Sequence, residues 1–422
     1  MRRDLAAWLE WQERLHPTEI ELGLERVGAV LAAMGLDAPP FRVVTVGGTN
    51  GKGSCVATLE ALALEAGFAT GAYTSPHLRR YNERIRVDGR DASDAELVAA
   101  FEAVEIARGA TSLSYFEFGT VAALEIFRRR GVTLAVLEVG LGGRLDAVNA
   151  LDAEVAVVTS IGLDHMEWLG PDRESIGREK GGVFRPGRPA IIGDRDPPVS
   201  LLQAAGAGAL RLGRDFDWCE DGAGWRWRSA ALELPGLPRG PLQAPALLDN
   251  AACAIAAFDA ISPLRDTPAL PARALGRVRL VGRLQRIPGE VEWWLDVSHN
   301  PDGAGVLAGA LAAAPIAGRT FAVLGMLADK DAEAVATALD PCVDRWIAAT
   351  LPPPRGLEAA ALARRLTPRV RTMVETASSV RAACEAALAA AQPGDRVVIC
   401  GSFHAVGPAL EWLELYFGPL EV

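Results

Sequence analysis

A lysine and a serine separated by a single glycine, Lys52-Gly53-Ser54, close the stretch VVTVGGTNGKGS, in which a β-branched run leads into a glycine cluster and a helical pattern follows. A loop of this kind places unpaired helix amides and the positive end of a helix dipole against phosphate oxygens. Lys52 there neutralises β- and γ-phosphates, and the Ser54 hydroxyl binds a magnesium ion as in a Walker loop. The glycines are closer together than G-x-x-x-x-G-K-[ST] requires, and Gly53 intervenes between lysine and hydroxyl. The competing reading is a glycine-rich strand-to-helix turn that binds nothing.

Two further clusters end apolar runs. In LEVGLGGRLDAVN, Glu138 stands where doubly wound sheets place ligand-contacting groups, and the glycines let backbone approach a phosphate or metal. The alternative is a strand-end carboxylate paired with Arg144. In VVTSIGLDHMEWLGPDRESIGREKGGV, Asp164 and His165 follow a strand, and His165 is a candidate metal ligand or a structural histidine. Lys180 closes the segment. Of 43 basic residues only Lys52, Lys180 and Lys330 are lysines. A surviving lysine suits chemistry that arginine cannot perform, such as losing its proton and adding CO₂ to form a carbamate that ligates a hard metal. Chance survival is the alternative for each of the three.

Later strand ends carry Asp296, His299 and Asn300 in WWLDVSHNPDG, Lys330 in VLGMLADKD, and Ser402 and His404 in ICGSFHAVG. Each suits either a ligand site or an ordinary helix cap.

The elements that must position these groups alternate. FRVVTV, a helix from about Ser54 to Glu65, FATGAYT, helices over 94–107 and 116–130, VTLAVLEV and AEVAVVTSI predict a mostly parallel, doubly wound α/β domain. Between Arg211 and Leu242, Asp-Gly turns and alternating aromatics predict a small antiparallel excursion. GRLQRIPGEVEW reads as a linker, and the alternation then restarts. The expected division is residues 1–286 and a smaller Rossmann-like α/β domain over 287–422.

A net charge of -10 disfavours a general nucleic-acid binder. Six scattered cysteines without a C-x-x-C pair argue against zinc clusters and disulfide frameworks. The opening MRRDLAAWLEWQERL lacks a secretory apolar core, and no apolar run approaches a membrane span. A cytoplasmic protein acting as a monomer on small molecules, with neither nucleic acid nor membrane as partner, is expected.

Taken in order, TVGGTNGKGS, TSPHLRRYNERIRV, SYFEFGTVAAL, LEVGLGGRLDAVN, TSIGLDHMEWLGPDRESIGREKGGVF, DVSHNP, GMLADKD and CGSFHAVG resemble the bacterial bifunctional dihydrofolate synthase/folylpolyglutamate synthase family. These are ATP-dependent amide ligases related to the Mur ligases, and the resemblance spans nearly the whole chain. It implies phosphoryl transfer from ATP to the carboxylate of dihydropteroate or of a folate, then attack by the amine of L-glutamate. It implies an ATP loop of Thr49, Asn50, Gly51, Lys52, Gly53 and Ser54, with Asn250, Arg283, Asp296 and His299 contacting nucleotide from the interdomain side. Two magnesium ions are implied, on Ser54, Ser75, Glu138, His165 and Lys180 as carbamate; Lys52, Lys180, His165 and Glu138 thus become the catalytic set. Pterin contacts are implied for Glu19, Ile20, Glu21 and Leu22, for Tyr115, Phe116, Glu117 and Phe118, and for Arg144, Leu145 and Asp146. Phe116 and Phe118 offer flat faces for an aromatic ring. The chain departs from the family at Val148 where a threonine is usual, at the longer Asp296-Val297-Ser298-His299-Asn300, and at Val281 before Gly282-Arg283. A single-activity folylpolyglutamate synthase, a Mur-type amino-acid ligase and a non-enzymatic nucleotide-dependent regulator are the alternatives.

Overall fold

The computed structural model describes residues 3–16 and 21–417. The chain forms two compact units, Met1–Val278 and Arg279–Val422.

In the first unit, eight strands form one sheet: β1 Arg42–Gly47, β2 Thr70–Tyr73, β3 Ile85–Val87, β4 Arg90–Asp91, β5 Leu134–Glu138, β6 Val155–Val158, β7 Ala190–Ile192 and β8 Leu210–Arg211. Their spatial order is β4-β3-β2-β5-β1-β6-β7-β8. All pairings from β2 to β8 across the sheet are parallel, and β3 and β4 add an antiparallel edge. β5 and β6 are buried along their whole length, as strands covered on both faces must be, which is why they read as continuous apolar runs. The chain moves to opposite sides of β1 on its way to β2 and to β6, so the mouth of β1 is a topological switch point.

Local sequence sets the helix starts around that mouth. Ser114 accepts from the Glu117 amide at 3.3 Å while Glu117 accepts from the Ser114 amide at 2.7 Å, a capping box that opens the helix Tyr115–Arg129. Asp172 and Ser175 open the helix Arg173–Gly181 in the same way. The helix after β1 spans Lys52–Glu65, two residues longer at its start than the apolar pattern indicates. Its residues from Ser54 to Ala63 are almost all buried, against the equally apolar helix Pro245–Ile261 among others. Each fully buried leucine or phenylalanine of such a core contributes about 1.5–3 kcal/mol.

The antiparallel excursion is a separate three-stranded sheet, β9 Phe216–Asp221, β10 Gly224–Ser229 and β11 Glu233–Leu237, in the order β11-β10-β9. Trp225 and Trp227 alternate inward on β10 and are completely buried, whereas the intervening Arg226 is not.

The second unit holds β12 Gln285–Ile287, β13 Glu292–Leu295, β14 Thr320–Leu324, β15 Arg345–Ala349, β16 Val374–Ala377 and β17 Arg396–Cys400, in the order β12-β13-β17-β14-β15-β16. Only β12 runs antiparallel. This corrects the reading of GRLQRIPGEVEW as a linker. Gln285 pairs with Leu295 and Ile287 with Trp293, so the Pro-Gly segment turns a hairpin and β12 belongs to the second sheet. The second compact unit accordingly begins at Arg279, ahead of β12. Among the described residues no helix is long and apolar enough to cross a membrane.

Candidate active site

The loop leaving β1 is bound along its length to the segment leaving β6. The Thr49 amide donates to Ser160 O at 2.7 Å, the Asn50 amide to Ser160 Oγ at 3.1 Å, and the Gly162 amide to Thr49 Oγ1 at 3.0 Å. Thr159 Oγ1 donates to Asn50 O at 2.6 Å. Two glycines make the fit possible. Gly48, at φ 138°, would place a methyl group 2.0 Å from Thr159 Oγ1; Gly51, at φ 89°, would place one 2.3 Å from Asn250 Oδ1. Both the left-handed backbone and the close approach exclude a side chain. Thr159 and Ser160 were not among the expected site residues. Their hydroxyls follow a strand in VVTSIG, but nothing local in the sequence says that they clasp a loop more than a hundred residues earlier.

Gly51 caps the helix Lys52–Glu65 without a side-chain bond, so the first-turn amides remain available to an anion. Lys52 Nζ curls back to donate to Gly48 O at 3.1 Å and Thr49 O at 3.2 Å. Ser54 Oγ is buried and has no hydrogen-bond partner. A helical serine would ordinarily return its proton to the carbonyl four residues earlier, but Asn50 O is already taken by Thr159 and Ser160.

Lys180, 5% exposed at the end of its helix, reaches the same loop and donates to Gly48 O at 3.0 Å. Burial, then the neighbouring Lys52 ammonium, push its amine down to about 7, against the opposing pull of Asp164 and Asp146. A substantial neutral fraction at neutral pH is what addition of CO₂ requires. Scarcity in the sequence singled out this lysine, and burial beside a second cation supplies the physical reason.

Glu138 ends β5 in register with Val46 of β1, and its carboxylate accepts from the Ser75 amide at 3.2 Å. Ser75 follows β2, whose Tyr73 pairs with Leu137, so these two expected metal positions meet at adjacent strand ends. The structure does not support pairing of Glu138 with Arg144. Arg144 instead holds Glu179 at 3.0 Å, on the turn of helix carrying Lys180. His165 adopts a left-handed backbone at φ 52° and caps a short helix over Met166–Leu169, its Nε2 3.9 Å from Asp164 Oδ2. That conformation is uncommon for a residue other than glycine and is found at constrained sites.

No group of three or more His, Cys, Asp and Glu side chains able to hold a metal occurs among the described residues. The fit to a divalent ion therefore rests on oxygen donors of mixed type, the unpartnered Ser54 hydroxyl and the buried Glu138 carboxylate, which suit a hard cation.

The expected pterin residues separate into two groups. Phe116 is partly exposed, lies 5.7 Å from Tyr73 between ring centroids, and covers Gly140. Tyr115 lies edge-on to Tyr81, Leu145 is partly exposed, and Arg144 is exposed. Asp146 is buried and accepts from the Leu141 and Val148 amides; burial raises its carboxyl to about 6 despite those bonds. Phe118 is different. It is 0% exposed and enclosed by Trp8, Trp11 and Phe101, which makes it a core residue rather than a stacking surface. Glu117 is likewise buried, committed to its capping box and to Arg26 at 3.1 Å. Arg26 also pairs with Glu21, whose carboxylate accepts from His16 Nε2 at 2.7 Å, and Leu22 follows, partly exposed. Glu19 and Ile20 lie outside the described residues.

In the first unit, Asn250 lies on the helix Pro245–Ile261 against Gly51. In the second unit, Arg283 lies over the Phe403 ring at 5.1 Å. Asp296, buried at the end of β13, accepts from the Leu284 and Ser298 amides at 2.8 Å, and burial raises its carboxyl. His299 Nδ1 is 2.9 Å from Val297 O. Asn300 and Ser402 act as caps, accepting from the Gly303 and His404 amides.

Residues 282–403 match the family described as Mur ligase, glutamate ligase domain. The dihydrofolate synthase/folylpolyglutamate synthase of Escherichia coli (strain K12) is 43% identical over 413 residues, covering 97% of this chain and 96% of that protein. A solved structure of E. coli FolC in complex with DHPP and ADP is similar at a TM-score of 0.93 with 42% identity, over 98% of this chain and 99% of that one. A crystal structure of a bifunctional folylpolyglutamate synthase/dihydrofolate synthase with Mn, AMPPNP and L-glutamate bound is similar at a TM-score of 0.90 with 43% identity, over 98% of each chain.

Proposed function

Because the chain belongs to the dihydrofolate synthase/folylpolyglutamate synthase family, we propose that it joins L-glutamate to dihydropteroate and adds further glutamates to folates at the expense of ATP. The observation that carries this reading is the convergence of Lys52 and Lys180 on one carbonyl of the loop after β1, beside a helix N-terminus with an unpartnered serine hydroxyl.

The first-turn amides of Lys52–Glu65 hold the β- and γ-phosphates, and Lys52 leaves its loop carbonyls for the γ-phosphate. The acceptor carboxylate attacks the γ-phosphorus and ADP departs. The glutamate amine then attacks the acyl carbonyl, and inorganic phosphate leaves. Ser54, Ser75, Glu138, His165 and carbamylated Lys180 would hold Mg²⁺, which supplies charge neutralisation for phosphoryl transfer when bound. Thr159 and Ser160 keep the loop shape fixed, so little reorganisation is needed as charge develops. Phe116, Tyr115, Leu22, Arg144, Leu145 and Asp146 line the acceptor side, while Asn250, Arg283, Asp296 and His299 serve nucleotide. On this reading the first unit carries ATP and pterin, and the second is the glutamate-ligase unit. Action in the cytoplasm, as a monomer, with two Mg²⁺ ions, belongs to the same proposal.

Purified protein given dihydropteroate, ATP, Mg²⁺ and L-glutamate should form dihydrofolate and ADP in equal amounts. Substituting tetrahydrofolate as acceptor tests the second activity, and ATP hydrolysis indifferent to acceptor and glutamate would sink the ligase reading.

A further inference from the structure

The small sheet β9 to β11 contributes none of the residues expected to touch a substrate, yet it is bonded to the helix that carries Asn250 on both sides of that residue. Trp218 Nε1 on β9 donates to Asp249 Oδ1 at 2.7 Å. Trp227 Nε1 on β10 donates to Ala252 O at 3.1 Å, in the interior of the protein. Arg195, just beyond β7, completes the first anchor by donating to Asp249 Oδ1 at 2.7 Å and to Asp217 Oδ1 of β9 at 3.0 Å.

The helix takes no side-chain cap at this end: its N-cap is Ala244, with Pro245 as its first residue. Asn250 stands more than one turn further in and fits against Gly51 so closely that not even a methyl group could be inserted between them. A small shift of the helix start would either press the carboxamide into the nucleotide loop or withdraw it.

We infer that the β9 to β11 sheet is a positioning device for the nucleotide site, with Trp218 and Asp249 holding Asn250 in register with Gly51. Trp218 and Asp249 are positioning residues; only Asn250 meets nucleotide, and this assignment of Asn250 rests on the function proposed above. The Arg195 guanidinium is 44% exposed, so solvent screens its pair with Asp249.

The test measures ADP affinity by calorimetry, so it does not depend on ligase turnover. Trp218→Phe removes the donor but keeps an aromatic ring, and should weaken ADP binding roughly 3- to 10-fold. Asp249→Asn retains an acceptor for Trp218 and should weaken it less. In an Asn250→Ala background, Trp218→Phe should have no further effect, because a residue that acts only through Asn250 has nothing left to position. Turnover of Trp218→Phe at saturating ATP should match the parent, with the ATP KM raised. Unchanged ADP affinity in Trp218→Phe, or an equal loss in the presence and absence of the Asn250 side chain, would overturn the inference. Normal ADP binding by a parent protein that forms no glutamate amide would instead count against the proposed function alone.

Discussion

Lys52 and Lys180 donate to the same carbonyl oxygen, that of Gly48, at 3.1 and 3.0 Å. Burial first, and repulsion from the Lys52 ammonium second, make Lys180 give up its proton more easily. A lysine that loses its proton this readily is suited to the addition of CO₂ that the proposed carbamate requires. Lys180→Arg, which keeps a cation but cannot form a carbamate, is expected to lower kcat at least about 100-fold, the scale on which lost charge stabilisation acts. Turnover close to the parent's in that variant would remove the carbamate from the mechanism.

The same shift predicts a pH dependence of stability. The Lys180 amine titrates near 7 in the folded chain against an ordinary 10.5. Between these values the unfolded chain holds a proton that the folded one lacks, so the contribution of Lys180 to stability rises with pH across the window and is most unfavourable below it. In CO₂-depleted buffer without nucleotide, Lys180→Met should therefore raise Tm relative to the parent at pH 6, and the gap should narrow by pH 10. A gap that stays constant or widens with pH would contradict the assignment.

Ser54 should separate stability from function. Its hydroxyl is buried without a partner, so the folded chain carries a desolvation cost that nothing offsets until a ligand arrives. Ser54→Ala is expected to leave the ligand-free Tm unchanged or raise stability by up to about 1 kcal/mol. Turnover at limiting Mg²⁺ should fall roughly 10-fold or more, since loss of even an indirect metal contact has effects of that size. Thermal scans and a Mg²⁺ titration of activity check the two halves independently.

What the sequence disclosed and what it concealed divide along physical lines. The loop Thr49 to Ser54, the strand-end Glu138 and the buried Lys180 were legible because β-branched runs, glycines and a rare residue type are local signals. The hairpin of β12 was missed because Pro288 and Gly289 suit a linker and a turn equally; only pairing with Trp293 to Leu295 distinguishes them. The clasp of Thr159 and Ser160 on the loop and the hub at Asp249 join residues distant along the chain, so neither had a local pattern to read. Phe118 is a different lesson. Phe116 and Phe118 are two positions apart on one helix and cannot face the same way. The helical period already forbade both from flanking one ligand.

That opposition yields the last prediction. Phe118 is enclosed by Trp8, Trp11 and Phe101, whereas Phe116 is partly open beside Tyr73. Phe118→Ala should lose about 3–5 kcal/mol of unfolding free energy, the cost of an unfilled aromatic site in a close-packed core. Phe116→Ala leaves much less of a cavity and should unfold at nearly the parental denaturant midpoint. Its effect should fall on the acceptor, with the KM for dihydropteroate raised several-fold through loss of an aromatic contact worth about 0.5–1.5 kcal/mol and its buried area. The ATP KM should stay unchanged. A Phe116→Ala protein that unfolds early with a normal dihydropteroate KM would place Phe116 in the core with Phe118.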